Sequence, residues 1–150
     1  MSLGRLIITG VSSGIGKALA EAALEAGYDV LGVGRHSCDA IERHARGLFF
    51  HADLTDSTAV EAIPLLPAVL GPTILINNAG TIGPIASTAE VGHEELAHCM
   101  QLNVVAPMRL TARFLQEVEG EKQVYFTGSG AANYPIEGWA AYCASKAAVH

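Results

Sequence analysis

The chain has 150 residues, of which 50% are hydrophobic and 16% are charged. These values fit one compact domain with a buried core and exclude a disordered chain. The net charge of −6 offers no basic surface for nucleic acid, and no apolar run approaches the roughly 20 residues of a membrane span. We therefore expect a single domain over residues 1–150 that binds neither nucleic acid nor a membrane.

The three cysteines are far apart and odd in number: Cys38, Cys99 and Cys143. They form no C-x-x-C pair, and no spacing between them and the six histidines is typical of a metal site. The amino terminus leads directly into a strand pattern, without the layout of a signal peptide. We predict a cytoplasmic protein with reduced cysteines and no bound metal.

A glycine-rich turn separates the first predicted strand, Arg5–Thr9, from the first predicted helix, Lys17–Ala26, which Gly27 ends. Glycines allow the backbone to turn sharply and to approach a pyrophosphate, and the N–H groups at a helix start attract the anion. The turn has the spacing G-x-x-x-G-x-G, from Gly10 to Gly16. It indicates a dinucleotide site, and an ordinary turn without a ligand is the alternative.

A second strand is predicted over Tyr28–Gly34, and Arg35 follows it directly. Dinucleotide-binding folds usually place a carboxylate here, about twenty residues past the glycines, to bind the adenosine ribose of NAD. A carboxylate repels a 2′-phosphate, whereas a guanidinium binds it with two parallel hydrogen bonds. Arg35 therefore favours NADP over NAD, and a solvated surface arginine is the alternative.

The next stretch predicts a short polar helix over Asp39–Gly47 and a third strand over Leu48–Ala52. Asp53 closes that strand. Asp56 or Thr55 is a typical N-cap for the helix that follows. A nucleotide contact and a purely local role both stay open for Asp53.

A short helical stretch interrupted by Pro64 and Pro67 precedes a fourth strand, Pro72–Ile76. Its continuous apolar run is typical of a strand that is covered on both faces. The strand ends in the sequence N-N-A-G, from Asn77 to Gly80. Strand and helix patterns alternate throughout, which predicts a parallel sheet with helices on both faces.

A long amphipathic helix is predicted from about Glu94 to Glu119. Pro107 lies inside it and should kink the helix or divide it in two, because proline lacks an N–H group. Asn103 precedes this proline, and a mid-helix asparagine is usually a mild defect or a cap. The fifth predicted strand, Lys122–Thr127, follows, and Ser129 lies just past its end.

Tyr142 and Lys146 are one helical turn apart and therefore lie on one face of a helix. A free tyrosine has a pKa near 10, and a nearby ammonium group stabilises a phenolate, which favours proton exchange nearer neutral pH. The pair is therefore a candidate for proton transfer. A helix-face aromatic residue beside a solvated lysine is the alternative.

Three motifs together resemble the short-chain dehydrogenase/reductase family, and the resemblance extends over the whole chain. They are T-G-x-x-x-G-x-G from Thr9, N-N-A-G from Asn77 and Y-x-x-x-K from Tyr142. The resemblance implies an α/β fold with a Rossmann-like doubly wound parallel sheet, about five strands in the order 3-2-1-4-5. It also implies hydride transfer between NADP(H) and a small carbonyl or alcohol substrate.

The same resemblance implies roles for individual residues. Tyr142 would be the acid/base, Ser129 would hydrogen-bond the substrate oxygen, and Lys146 would bind the nicotinamide ribose. Asn103 would bind a water through its backbone carbonyl at a kink in its helix. The implied cofactor-binding residues are Gly10, Ser12, Ser13, Gly14, Ile15, Gly16, Arg35, Asp53, Leu54, Asn78, Ala79, Gly80, Tyr142 and Lys146.

The sequence stops shortly after Lys146, whereas members of the resembled family continue through two more strands and a lid over the substrate. We expect this chain to be part of a longer protein that forms a homo-oligomer. A non-catalytic dinucleotide-binding fragment or regulatory protein is the alternative. Tyr134, Ile136 and Trp139 could form an apolar wall for a hydrophobic or aromatic carbonyl compound, or they could pack in the core.

Overall fold

The computed structural model describes residues 2–65 and 70–150. Within these residues, five parallel strands form one sheet in the order β3-β2-β1-β4-β5. The strands are β1 Arg5–Thr9, β2 Asp29–Gly34, β3 Gly47–His51, β4 Thr73–Asn77 and β5 Lys122–Phe126. This confirms the predicted strand order, and each strand lies within one residue of its predicted bounds.

In the described part of the chain, six α-helices connect and cover the strands. They are α1 Gly14–Ala26, α2 Asp39–Arg43, α3 Ser57–Ala62, α4 His93–Met100, α5 Ala106–Glu117 and α6 Ala140–Ala148. A π-helical turn, Gln101–Val105, joins α4 to α5, and a 3-10 turn, Gly130–Ala132, precedes α6. Among the described residues, no helix is both long enough and apolar enough to cross a lipid bilayer.

The two faces of the sheet bury separate apolar clusters. Ile7 of β1 packs with Leu110 and Phe114 of α5, whereas its neighbours Leu6 and Ile8 pack with α1 and α2. Successive side chains of a strand point to opposite faces, so a continuous apolar strand needs a helical layer on each side. The doubly wound architecture follows from this pattern.

The bounds of the first two helices differ from the predicted ones. α1 begins at Gly14 rather than at Lys17, and it ends as predicted, where Gly27 adopts a left-handed conformation with φ 99°. The second helix was predicted to reach Gly47, which is wrong, because the backbone is already extended at His44. Gly47 instead opens β3, where an added Cβ would lie 2.1 Å from the Ile41 carbonyl oxygen.

The long helix predicted from Glu94 to Glu119 is not one continuous α-helix. It is divided at the π-helical turn, which ends at Val105, two residues before Pro107, and α5 ends at Glu117 because Val118 is extended. Pro107 has no N–H group to donate to the carbonyl of Asn103, one α-helical turn earlier. The predicted division is therefore confirmed, and its form is a π-helical turn. Of the two prolines predicted to interrupt the short helical stretch before β4, Pro64 lies past the end of α3 and Pro67 lies outside the described residues.

Candidate active site

A cleft of about 260 Å³ opens at the carboxyl ends of β1, β2, β3 and β4. This edge of a parallel sheet is the usual place for a nucleotide. The predicted cofactor-binding residues that line it are Gly10, Ser12, Ser13, Arg35, Asp53, Leu54, Asn78, Ala79 and Gly80. The other glycine-turn residues, Gly14, Ile15 and Gly16, form the first turn of α1.

Close backbone packing explains two of the glycines. A Cβ on Gly10 would lie 2.9 Å from the Cα of Ala79. A Cβ on Gly16 would lie 2.1 Å from the Gly10 carbonyl oxygen and 2.4 Å from Nδ2 of Asn78. Gly14 has φ 57° and would meet nothing within 4 Å, so it faces open space. The glycine spacing therefore lets the turn pack tightly on its protein side and leaves its other side accessible.

The start of α1 fits an anionic group. Ser13 is the N-cap by its extended backbone, yet its side chain makes no capping hydrogen bond, and the first turn holds no acidic residue. The first N–H groups of a helix have no partner within the helix, and the helix dipole is positive at this end. A pyrophosphate would accept hydrogen bonds from these N–H groups and would bring the negative charge that the dipole favours. These residues therefore fit a dinucleotide cofactor.

The far end of the cleft contains one arginine and one carboxylate. Arg35 is exposed directly after β2. Asp53 Oδ1 accepts hydrogen bonds from the N–H (2.9 Å) and the Oγ1 (2.8 Å) of Thr55. These bonds lower the pKa of Asp53, and the charge of Arg35 contributes less. Asp53 thus has a local role, and its predicted nucleotide contact stays a prediction. Asp56 is the N-cap of α3, as predicted.

Asn78 links the glycine turn to the end of β5. Its Nδ2 donates to the carbonyls of Thr9 and Gly10, both at 3.1 Å, and its Oδ1 accepts from Oγ1 of Thr127 at 3.1 Å. The Oγ1 of Thr9 accepts from the N–H groups of Asn78 (3.0 Å) and Ala79 (2.9 Å). The ends of β1, β4 and β5 are therefore held in one fixed arrangement around the cleft.

Lys146 is buried beside the cleft, with 8% of its surface exposed. Its Nζ donates to the carbonyl of Thr127 at 2.9 Å and lies 5.7 Å from the centroid of the Tyr142 ring. An ideal Cβ on Gly80 would lie 3.8 Å from this Nζ and 3.2 Å from Oδ1 of Asn103. Three predicted residues from distant parts of the sequence, Gly80, Asn103 and Lys146, are thus brought together.

Asn103 lies buried in the π-helical turn. Its Oδ1 accepts from the N–H of Thr81 at 2.9 Å, and its Nδ2 donates to the carbonyl of Thr81 at 2.8 Å and to Oγ of Ser145 at 2.9 Å. Pro107 removes the donor that the Asn103 carbonyl would have in an α-helix. The side chain is therefore fixed, while the carbonyl has no α-helical partner.

Ser129 follows β5 and begins the 3-10 turn that packs against α6. Its Oγ accepts from the N–H of Ala131 at 3.2 Å. Tyr142 packs edge-to-face against Trp139, with ring centroids 5.6 Å apart. The two predicted groups for the substrate oxygen thus lie on neighbouring elements at the carboxyl end of β5.

Several polar residues of the site were missed by the sequence analysis. Thr9 was part of the glycine motif, Thr81 directly follows the N-N-A-G motif, and Thr127 directly follows β5. Their places beside these motifs were the signal that could have identified them. Ser145 precedes Lys146 and gave no separate signal. His98 lines the cleft from α4, and a lone exposed histidine on a helix indicates no particular ligand.

We expect Lys146→Met to change how stability depends on pH. Burial lowers the pKa of Lys146 below its usual 10.5. Between the lowered pKa and 10.5 the unfolded chain binds more protons than the folded one, so the free energy of unfolding gains a rising contribution with pH. Urea unfolding from neutral pH to about pH 10.5 should show that this contribution disappears in the variant.

Lys17→Met is the matched control, because Lys17 lies on the exposed side of α1 and pairs only at 3.9 Å with Glu21. It should leave the pH dependence close to that of the wild type. Identical pH dependence for Lys146→Met and the wild type would contradict the assigned burial of the ammonium group.

Comparison with known proteins shows the family. The model described as short chain dehydrogenase matches residues 5–150. A relative named benzil reductase ((S)-benzoin forming), from Bacillus subtilis (strain 168), is 37% identical and aligns with 94% of this chain. A second relative of that name, from Bacillus cereus, is 32% identical and aligns with 97% of this chain. The chain spans only 61% and 64% of the lengths of these two proteins.

Solved structures agree with this assignment. The crystal structure of a short-chain dehydrogenase/reductase from Burkholderia vietnamiensis matches with a TM-score of 0.86 at 34% identity, covering 96% of this chain and 71% of that one. Family model, relatives and fold lead to the same conclusion: the chain belongs to the short-chain dehydrogenase/reductase family.

Proposed function

We propose that the protein is an NADP-dependent oxidoreductase that transfers hydride between NADP(H) and a small carbonyl or alcohol compound. One observation supports this above the others. Gly80 lines the nucleotide cleft and lies against both Lys146 and Asn103, so the cleft and the proposed catalytic residues adjoin. In this proposal residues 1–150 are one dinucleotide-binding domain. The free cysteines support a cytoplasmic location, and we propose a homo-oligomer.

The residues that would hold the cofactor divide into three groups. The uncapped start of α1, with Ser12 and Ser13, suits the pyrophosphate. Asp53 and Leu54 would lie toward the adenine, and Arg35 would bind the 2′-phosphate. The third group, the segment after β4 and the N–H groups of the glycine turn, would form the rest of the cofactor site. When bound, the cofactor supplies the hydride, and the protein supplies position and electrostatics.

The proton is handled by the chain's own side chains. In the reduction, the Tyr142 hydroxyl donates its proton to the carbonyl oxygen of the substrate, and the Ser129 hydroxyl donates a hydrogen bond to the same oxygen. Lys146 would place a positive charge beside the resulting phenolate, since its Nζ lies 5.7 Å from the centroid of the ring. The Asn103 carbonyl accepts a hydrogen bond from a water that returns protons toward Lys146.

The exposed side chains of the loop before α6 support an apolar or aromatic substrate. Tyr134 is 73% exposed and Ile136 is 42% exposed, so neither packs in the core of this chain. Their loop is joined to the loop after β4 by a hydrogen bond from the N–H of Ala86 to the carbonyl of Gly138 at 3.0 Å, and Ile85 is also exposed there. The names of the two benzil reductases are consistent with an aromatic ketone.

Turnover is the direct test of this proposal. The protein should oxidise NADPH in the presence of benzil or a related aromatic ketone, followed by the loss of NADPH absorbance. Cofactor binding without turnover of any carbonyl or alcohol compound would contradict the catalytic part. It would favour a non-catalytic dinucleotide-binding protein instead.

The choice of cofactor is tested separately, at Arg35. We expect Arg35→Ser to weaken NADPH binding by about 10- to 100-fold, because it removes charge-assisted hydrogen bonds to the 2′-phosphate. NADH binding should change by less than about threefold, since NADH lacks that group. Titrations that follow nicotinamide fluorescence give both affinities.

Arg43→Ser is the control for this experiment, because Arg43 is an exposed arginine of α2 that pairs with Asp39. It should leave both affinities unchanged. Tighter binding of NADH than of NADPH by the wild type would overturn the NADP assignment. Binding of neither nucleotide would contradict the proposed site.

A further inference from the structure

We propose that Ser145 is a positioning residue that holds Asn103 and helix α6 in the arrangement that proton transfer requires. The inference rests on the proposed function, because it assigns a role to Ser145 in that reaction. Ser145 is fully buried, with 0% of its surface exposed. It lies on α6 between Tyr142 and Lys146, and its hydroxyl points to the π-helical turn.

Two hydrogen bonds of the Ser145 hydroxyl join the two elements. Its Oγ accepts from Nδ2 of Asn103 at 2.9 Å and donates to the backbone carbonyl of Tyr142 at 2.8 Å. A serine hydroxyl has one proton to donate, and the Tyr142 carbonyl receives it, so the bond from Asn103 is accepted in a defined direction. The hydroxyl is therefore a direct link between the π-helical turn and the helix that contains the tyrosine and the lysine.

The amide of Asn103 depends on this link. Its Nδ2 carries two hydrogens, and the two nearest acceptors are the Thr81 carbonyl at 2.8 Å and Ser145 Oγ at 2.9 Å. The Sγ of Cys99 lies farther away, at 3.6 Å, and burial raises the pKa of this thiol, so it is a neutral and weak acceptor. Without the serine hydroxyl, a buried N–H loses its good partner.

The consequence for the reaction concerns the Asn103 backbone. Its carbonyl has no α-helical donor because of Pro107, so the π-helical turn sets the direction in which it points. Ser145 fixes that turn relative to α6, where Lys146 is the next residue. Removing the hydroxyl frees the turn to shift relative to the lysine. A misplacement of about 1 Å can slow a reaction by about 100-fold.

We expect Ser145→Ala to lower kcat by about 10- to 100-fold while KM for the carbonyl compound and the Kd of NADPH change by less than about threefold. If Ser145 acts through Asn103, the effects of the two substitutions on kcat should not be additive. Adding Ser145→Ala to Asn103→Ala should change kcat by less than about twofold. Ser145→Thr, which keeps the hydroxyl, should recover at least half of the loss.

A second readout does not need turnover. The side-chain amide protons of Asn103 should exchange with solvent at least about tenfold faster in Ser145→Ala, as measured by NMR. Thr111→Val is the matched control, because the Oγ1 of Thr111 also accepts from an asparagine Nδ2, that of Asn77 at 3.0 Å, away from α6. This control should leave kcat and the Asn103 exchange rate unchanged.

The outcomes separate the two proposals. A Ser145→Ala variant with wild-type kcat, with unchanged Asn103 exchange, or with a loss that adds fully to that of Asn103→Ala would overturn the role of Ser145. Failure of the proposed function would be visible without this variant. It would show as wild-type protein that turns over no carbonyl or alcohol compound, and the exchange measurement would still test the link.

Discussion

Tyr142→Phe is expected to lower turnover by about 10²- to 10⁴-fold, the usual contribution of a general acid/base. The variant loses only the hydroxyl. The ring stays in place, because its contacts with Trp139 and with the Lys146 ammonium group do not involve the oxygen. The Kd of NADPH, measured by fluorescence titration, should therefore change by less than about threefold.

Tyr125→Phe is the matched control. Tyr125 lies exposed on the edge strand β5, and its hydroxyl donates to Oε1 of Gln123 at 3.1 Å, outside the cleft. Its turnover should equal that of the wild type. If Tyr142→Phe kept near-normal turnover, another proton donor would have to be found, even though the family assignment would stand.

The strength of local signals decided which parts of the fold could be predicted. β1 was predicted exactly, because a short apolar strand ends at a glycine turn that permits little else. The predicted end of α2 was wrong, because the backbone is already extended at His44 and Gly47 pairs with Val30 of β2. The local sequence of such a polar segment does not indicate which strand will pair with the residues that follow it.

In the candidate site, too, local relations could be predicted and long-range contacts could not. Tyr142 and Lys146 could be placed together because both lie on one helix, one turn apart. The contact of Lys146 with Thr127 joins residues 19 apart, and that of Asn103 with Ser145 joins residues 42 apart. Such contacts depend on how the elements pack, so the residues that position the site were the ones that the sequence analysis missed.

Gly16→Ala is expected to destabilise the protein by about 1–3 kcal/mol, the usual cost of overpacking. Two effects compete at this position. Gly16 lies inside α1, where alanine is favoured over glycine by about 0.5–1 kcal/mol. The new Cβ, however, would lie 2.1 Å from the Gly10 carbonyl oxygen, which is backbone and has little freedom to move. The steric cost should exceed the gain in helix propensity.

The same substitution should weaken NADPH binding by at least about tenfold. Gly10 and Asn78 are the two groups that the new Cβ would meet, and they are hydrogen-bonded to each other at 3.1 Å. The clash can be relieved only by moving the glycine turn or the segment after β4, and both line the cleft. Urea unfolding and a fluorescence titration of the same variant measure the two effects.

Gly128→Ala provides the control, because a Cβ there would meet nothing within 4 Å. Its free energy of unfolding should stay within about 0.5 kcal/mol of the wild type. A stabilised Gly16→Ala variant would mean that α1 can move away from the turn, and that helix propensity outweighs the packing. A variant that is destabilised but binds NADPH normally would separate the packing of the glycine turn from cofactor recognition, and the close approach of Gly16 to Gly10 would then be purely structural.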